Sequence, residues 1–205
     1  MHIIRVANVY EPKIDAMPPE FRDVLTEQDV EAIRTGSKYF AKIAGDNSPK
    51  WLREVLAECA KGGYELQFYS SGDTPYRPYF RFYSQGQPAI SLPRRKSVRP
   101  DIPAFLRQIY SVIGVFRENR FDEAGGLHEG DALVSVSETG MPVKPGSDIS
   151  PDSAIPFLET YAGSQLCYLP DGSGAWLEAC EFRRVDDLEH EIALYFEALL
   201  NGTRI

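Results

Sequence analysis

Residues 154–200 read AIPFLETYAGSQLCYLPDGSGAWLEACEFRRVDDLEHEIALYFEALL, and this stretch decides the fold. Ala154 to Leu158, Gln165 to Leu169 and Ala175 to Phe182 are short apolar runs. The separators Ala162 to Ser164 and Pro170 to Gly174 are rich in turn formers, so the pattern predicts strands joined by turns. The period then changes. Leu188, Ile192, Tyr195, Phe196 and Leu199 recur at the spacing of one helical face. Asp186 or Asp187 supplies the cap and Gly202 the stop. Strands that end on an amphipathic helix, with no regular βαβ alternation, predict an α+β domain.

Upstream, the same reasoning predicts a strand over Ala132 to Val136 and a helix opened by Asp101, with Phe105, Leu106, Ile109, Tyr110 and Ile113 on its buried side. Residues 119–131 form a loop rich in glycine and acid. Residues 85–100, with three prolines and Arg94-Arg95-Lys96, read as a connecting stretch. Before it, Tyr64 to Ser70 and Tyr79 to Ser84 alternate as a hairpin, and Ser48-Pro49 opens a helix carrying Trp51, Leu52, Val55, Leu56 and Cys59. Thr26 and Asp29 form a capping box for a helix that runs to Gly45. Residues 2–10 open the chain as a strand.

The 205 residues suit one domain of ordinary size, and 43% apolar with 25% charged residues is the composition of a globular protein. No run of 18 uncharged apolar residues occurs, which argues against a membrane span. The first residues, Met1 to Val6, lack a basic segment followed by an apolar block, so a cytoplasmic protein is expected. Cys59, Cys167 and Cys180 have no CxxC spacing and read as buried thiols.

The formal net charge is -8 and it is unevenly placed. Residues 1–100 hold 15 basic and 12 acidic side chains, a net +3; residues 101–205 hold 7 and 18, a net -11. An acidic half repels nucleic acid and anionic membrane and attracts basic partners. Against this stands the ordinary use of acidic surface for solubility.

Catalytic signatures are missing. There is no GxSxG elbow and no GxxxxGK[ST] loop; Gly172-Ser173-Gly174 precedes a strand, the wrong context for a dinucleotide fingerprint. His190-Glu191 lacks the second histidine of a zinc helix, because position 194 is Leu. His128, with Asp122, Glu123, Glu129 and Asp131 around it in sequence, is the one acid–base or metal candidate; the competing reading is a solvated loop histidine.

Three stretches resemble the SUKH superfamily of bacterial immunity proteins. They are Asp101 to Tyr110, with a proline before Phe105-Leu106; Phe121 to Leu127, a Gly-rich segment; and Ile155-Pro156-Phe157-Leu158 continued through Gly163 to Leu169, Asp171-Gly172 and Ala175-Trp176-Leu177. The closing helix matches in position. The likeness covers residues 93–205, leaving 1–92 as an N-terminal elaboration of helices and hairpin. It implies a curved, mainly antiparallel sheet flanked by helices, no enzyme activity and no cofactor. It also implies a cognate toxin protein as partner, often a secreted nuclease, to be neutralised; the acidic half adds a basic surface on that toxin, stoichiometric occlusion, and no nucleic acid or membrane as partner.

The charge distribution then nominates Glu118, Asp122, Glu123, Glu129 and Asp131 in the acidic loop, with Asp171, Glu178 and Glu181, as partner-steering carboxylates. Tyr76, Tyr161 and Trp176 are candidate aromatic anchors, of which Trp176, in an apolar strand, reads as core. The alternatives are a non-catalytic regulatory or scaffold module that recognises several proteins, and a small hydrolase using His128 with Asp122 or Glu123.

Overall fold

The computed structural model describes residues 4–10, 13–36, 38–45, 48–61, 64–71, 75–82, 90–93, 101–118, 125–130 and 132–201. Among them ten strands form one antiparallel sheet in chain order, with β1 (Ile4–Tyr10) and β10 (Glu181–Val185) at its edges and no closure into a barrel. Between the edges lie β2 (Tyr64–Ser71), β3 (Arg77–Phe82), β4 (Ile90–Pro93), β5 (Phe116–Glu118), β6 (Gly126–Leu127), β7 (Ile155–Glu159), β8 (Gln165–Tyr168) and β9 (Gly174–Glu178). The fold is α+β, as the alternation of patterns predicts. Strand β4 pairs with β3 on one side and β5 on the other, so the sheet is continuous past residue 92.

One face of the sheet is apolar because register aligns the apolar residues. Phe116, Leu127, Leu158, Leu166 and Trp176 stand opposite one another in turn across β5 to β9, and all are buried. Leu66 and Phe80 pair in the same way across β2 and β3. Over this face pack α1 (Pro19–Arg22), through Phe21, and α2 (Glu27–Thr35), α3 (Lys38–Ala44), α4 (Lys50–Lys61), α5 (Ala104–Val112) and α7 (Leu188–Leu200). Trp51 of α4 stacks on Phe196 of α7 at 4.7 Å, and Phe116 meets the same ring edge-on at 4.9 Å. The opposite face of β7 to β10 is covered by residues 132–154, including the short helix α6 (Val136–Thr139); a smaller cluster of Val136, Ile149, Ala154, Cys167, Ala175 and Leu177 lies beneath it.

Six local expectations need correction. The helix from Thr26 to Gly45 is two helices, because Gly36 at φ +73 caps α2 and turns the chain. The capping box at its start is present, with the Thr26 amide 2.8 Å from Asp29 Oδ2 and the Asp29 amide 3.3 Å from Thr26 Oγ1. The N-cap of α5 is Pro103, without a side-chain bond, two residues beyond the expected Asp101. Two stretches read as connections contain strands, residues 85–100 β4 and residues 119–131 β6. Ala132 to Val136 is not a strand, since Ser135 and Glu138 form a capping box that starts α6. The run from Ala175 to Phe182 is a hairpin, turned at Ala179 (φ 48) and Cys180 (φ 70). Cys180 is therefore half-buried in a turn, while Cys59 and Cys167 are buried.

Candidate functional site

The sequence-predicted carboxylates fall into three places. Glu118 ends β5, where only the backbone is described, and Asp122, Glu123 and Asp131 lie outside the described residues, as does the Arg94-Arg95-Lys96 cluster. Glu129 follows β6 and accepts from Arg77 Nη1 at 3.1 Å. Asp171 sits in the β8–β9 turn, while Glu178 and Glu181 face each other at the far end of β9, across the turn to β10.

Each of the four carboxylates whose side chain is described has a basic neighbour. Asp171 lies 3.7 Å from Arg184, Glu178 lies 3.4 Å from Arg183, and Glu181 accepts from Lys144. The Ser173 hydroxyl and amide donate to Asp171 at 2.6 and 2.9 Å. These two bonds, with Arg184 beside them, hold the Asp171 carboxyl below the ordinary range for aspartate. The bond from Lys144 to Glu181 likewise raises the Lys144 ammonium above its ordinary value. The paired side chains are exposed except those of half-buried Glu129 and Glu178, so the pairs contribute little to stability. They do reduce the local negative field at the positions nominated for steering.

Unpaired carboxylates lie elsewhere. Asp186, Glu189 and Glu197 are exposed on or beside α7 and make no ion pair among the described residues. Leu194, 45% exposed, sits between Glu189 and Glu197 on that helix. The sequence pattern marks these acids only as the polar face of an amphipathic helix.

Two of the candidate anchors are not exposed. Trp176 is buried, and its indole Nε1 donates to Glu191 Oε2 at 2.8 Å, tying β9 to α7. Tyr76 is half-buried edge-on against Phe21 at 5.1 Å. Tyr161 is exposed at 45%, at the tip of the β7–β8 hairpin.

The segment after β6 builds a cavity. The His128 amide donates to the Phe157 carbonyl at 2.8 Å, and the Tyr110 hydroxyl donates to the His128 carbonyl at the same distance. The Ala132 amide returns to the Glu129 carbonyl, closing a turn, and the Val136 amide bonds Ala154 as α6 begins. Strand β7 bulges between Pro156 and Leu158. Between this turn and the bulged strand is a cavity of about 270 Å³, whose lining includes His128, Glu129, Val134, Thr139, Pro156 and Gln165. Gln165 is only 7% exposed, and its Oε1 is buried without a hydrogen-bond partner. Val134 at the wall is 41% exposed.

Glu129, a steering candidate, and His128, the acid–base candidate, both lie on this lining, and the His128 Nε2 is buried without a hydrogen-bond partner. Val134, Thr139 and Gln165 carry no sequence signal, since each reads as an ordinary strand or loop residue. Asp122 and Glu123, the partners required for acid–base work by His128, fall outside the described residues. His190 is exposed in the first turn of α7, its amide capped by Asp187 at 2.9 Å. Among the described residues no group of three or more His, Cys, Asp or Glu is placed to hold a metal ion, and no helix is long and apolar enough to cross a membrane. No family model, no curated protein and no solved structure matches the chain.

Proposed function

We propose that the chain is an immunity protein of the SUKH type, which neutralises one cognate toxin by binding it stoichiometrically and carries out no chemistry of its own. The observation that carries this reading is the cavity beside Glu129. Of the described large apolar residues that are exposed, Val134 lies on its wall, and Tyr161 lies at the tip of the hairpin whose second strand starts with Gln165. A concave site with exposed apolar neighbours is what a partner's buried anchors require. The net -11 of residues 101–205 supports a basic partner, such as a nuclease whose own cleft must attract nucleic acid. The SUKH-like stretches supply the biological setting, a cytoplasmic protein facing a secreted effector.

The test is a purified mixture with the product of an adjacent large toxin reading frame, followed by calorimetry at low and high salt. A one-to-one complex that weakens as salt rises is expected, together with loss of toxin activity in the complex. Absence of a complex at low salt overturns the proposal. Weak binding to many endogenous proteins with little salt dependence would instead favour the regulatory or scaffold reading.

A further inference from the structure

We propose that Asn201-Gly202, at the end of α7, is a site of self-modification: the Asn201 carboxamide is lost as ammonia after attack by the next backbone nitrogen, and a neutral helix end becomes an anion. The inference is independent of the binding role above.

The sequence singles the site out. The chain has four asparagines, Asn8, Asn47, Asn119 and Asn201, followed by Val9, Ser48, Arg120 and Gly202. Cyclisation needs the amide nitrogen of the next residue to approach the asparagine Cγ, and a Cβ on that residue obstructs the approach. Glycine has no Cβ and reaches backbone conformations closed to other residues. Asn201 alone has such a neighbour. Asn8 is also set in strand β1, its backbone in register with Gln67.

The fold leaves the site open. Asn201 is exposed and is the C-cap of α7. Its own N–H donates to the carbonyls of Glu197, at 3.0 Å, and Leu199. Bonds in a last turn open without disturbing the core, so residue 201 turns at little cost. Asp171-Gly172 is the contrasting case. The Gly172 amide is spent on the Leu169 carbonyl at 3.0 Å, and the Ser173 amide and hydroxyl both donate to Asp171 Oδ1. Those bonds favour the ionised carboxylate, which is a poor electrophile. The β8–β9 turn thus blocks the chemistry that the end of α7 permits.

The reaction needs only water. The Gly202 amide gives its proton to hydroxide, and its nitrogen forms a bond to Asn201 Cγ. The bond from Cγ to Nδ2 breaks, and the nitrogen leaves as ammonia with a proton from water, which returns the hydroxide. Water then opens the five-membered succinimide at either carbonyl, giving aspartate or isoaspartate. Nothing is oxidised or reduced.

The product acts on α7. Its last turn has no basic residue, and Glu197 is exposed there. A carboxylate at 201 adds negative charge at the negative end of the helix dipole and weakens that end. The formal net charge of -8 gains one more negative unit.

The test holds the purified full chain in mildly alkaline buffer over days, folded and, in parallel, unfolded in urea. Isoelectric focusing, ammonia release and peptide mapping follow it. In the folded chain a more acidic species should accumulate at a rate that rises with hydroxide. Mapping should place aspartate and isoaspartate at 201 before any change at Asn8, Asn47 or Asn119. That species should focus with Asn201→Asp, which should itself unfold at a lower urea concentration than the parent. Gly202→Ala should slow the conversion about tenfold. Conversion in urea but not in the folded chain, earlier conversion at another asparagine, or an undiminished rate in a folded Gly202→Ala protein would each overturn the proposal. An Asn201→Asp protein as stable as the parent would overturn the effect on α7. The order among the four asparagines needs no variant, so the test stands if Gly202→Ala fails to fold.

Discussion

The Tyr110 hydroxyl on α5 donates to the His128 carbonyl at 2.8 Å, and Gly130 lies flat against the same ring, where a Cβ would stand 3.0 Å from Tyr110 Cγ and Cδ1. This pair fixes the turn that forms one wall of the cavity. Tyr110→Phe should lower stability by about 1–2 kcal/mol, through loss of one buried hydrogen bond. Gly130→Ala should lower it by about 1–3 kcal/mol by overpacking the ring. Urea unfolding of both and of the double variant checks this, and the double should lose less than the sum because the two share one contact.

Gly174 opens β9 under tighter constraint. A Cβ there would stand 2.5 Å from Leu188 Cδ1 and 2.7 Å from Val185 Cγ2, and both side chains are buried. The glycine lets α7 approach the sheet. Gly174→Ala should therefore cost about 1–3 kcal/mol, although alanine is ordinarily the better residue in a strand. A drop in unfolding midpoint with an unchanged urea slope is the expected signature. An unaltered midpoint would show that Leu188 and Val185 can give way.

How much of this was legible depends on whether the decisive contacts were local. The Asp171-Gly172 turn and the closing helix could be read from spacing and caps. The β9–β10 turn could not, because Ala179 and Cys180 take positive φ values without the glycine or asparagine that announces such turns. Ala132, Val134 and Val136 alternate like a strand. The Ser135-x-x-Glu138 box was a readable signal for helix, and the Val136–Ala154 bond settles it. At the site, the acidic residues were visible but their neutralising partners were not. Arg77 lies 52 residues from Glu129 and Lys144 lies 37 from Glu181. Nothing local marks Gln165, whose buried, unpartnered Oε1 follows from the register of β8.

The cysteines give a pH-dependent prediction. Burial pushes the Cys59 and Cys167 thiols from the ordinary 9.0 up to about 12. In the unfolded chain these thiols lose their protons near 9.0; in the folded chain they keep them. Their contribution to stability is therefore intact below pH 9 and is lost as the pH rises from 9 toward 12, at about 1.4 kcal/mol per pH unit for each thiol. Urea unfolding across this range should show the decline, and Cys59→Ala should reduce its slope. In the native state a thiol reagent at neutral pH should label the half-buried Cys180 and spare the other two.

Helix α7 separates stability from partner steering. Its last turn has no basic residue and carries Glu197, exposed and without an ion pair among the described residues, close to the negative end of the helix dipole. Glu189, in the first turn, has the favourable placement. On dipole grounds alone Glu197→Lys should stabilise the fold by about 0.3–1 kcal/mol, and Glu189→Lys should destabilise it by a similar amount. If the negative charge of this half serves a basic toxin, both reversals should slow association at low ionic strength, by about tenfold together. The slowing should fade near 1 M salt, where the Debye length shrinks to about 3 Å. Glu197→Lys is the informative variant, because it should make the protein more stable and a slower binder at once. Should it stabilise the fold and leave the low-salt association rate untouched, the charge on α7 would be solvation and no more.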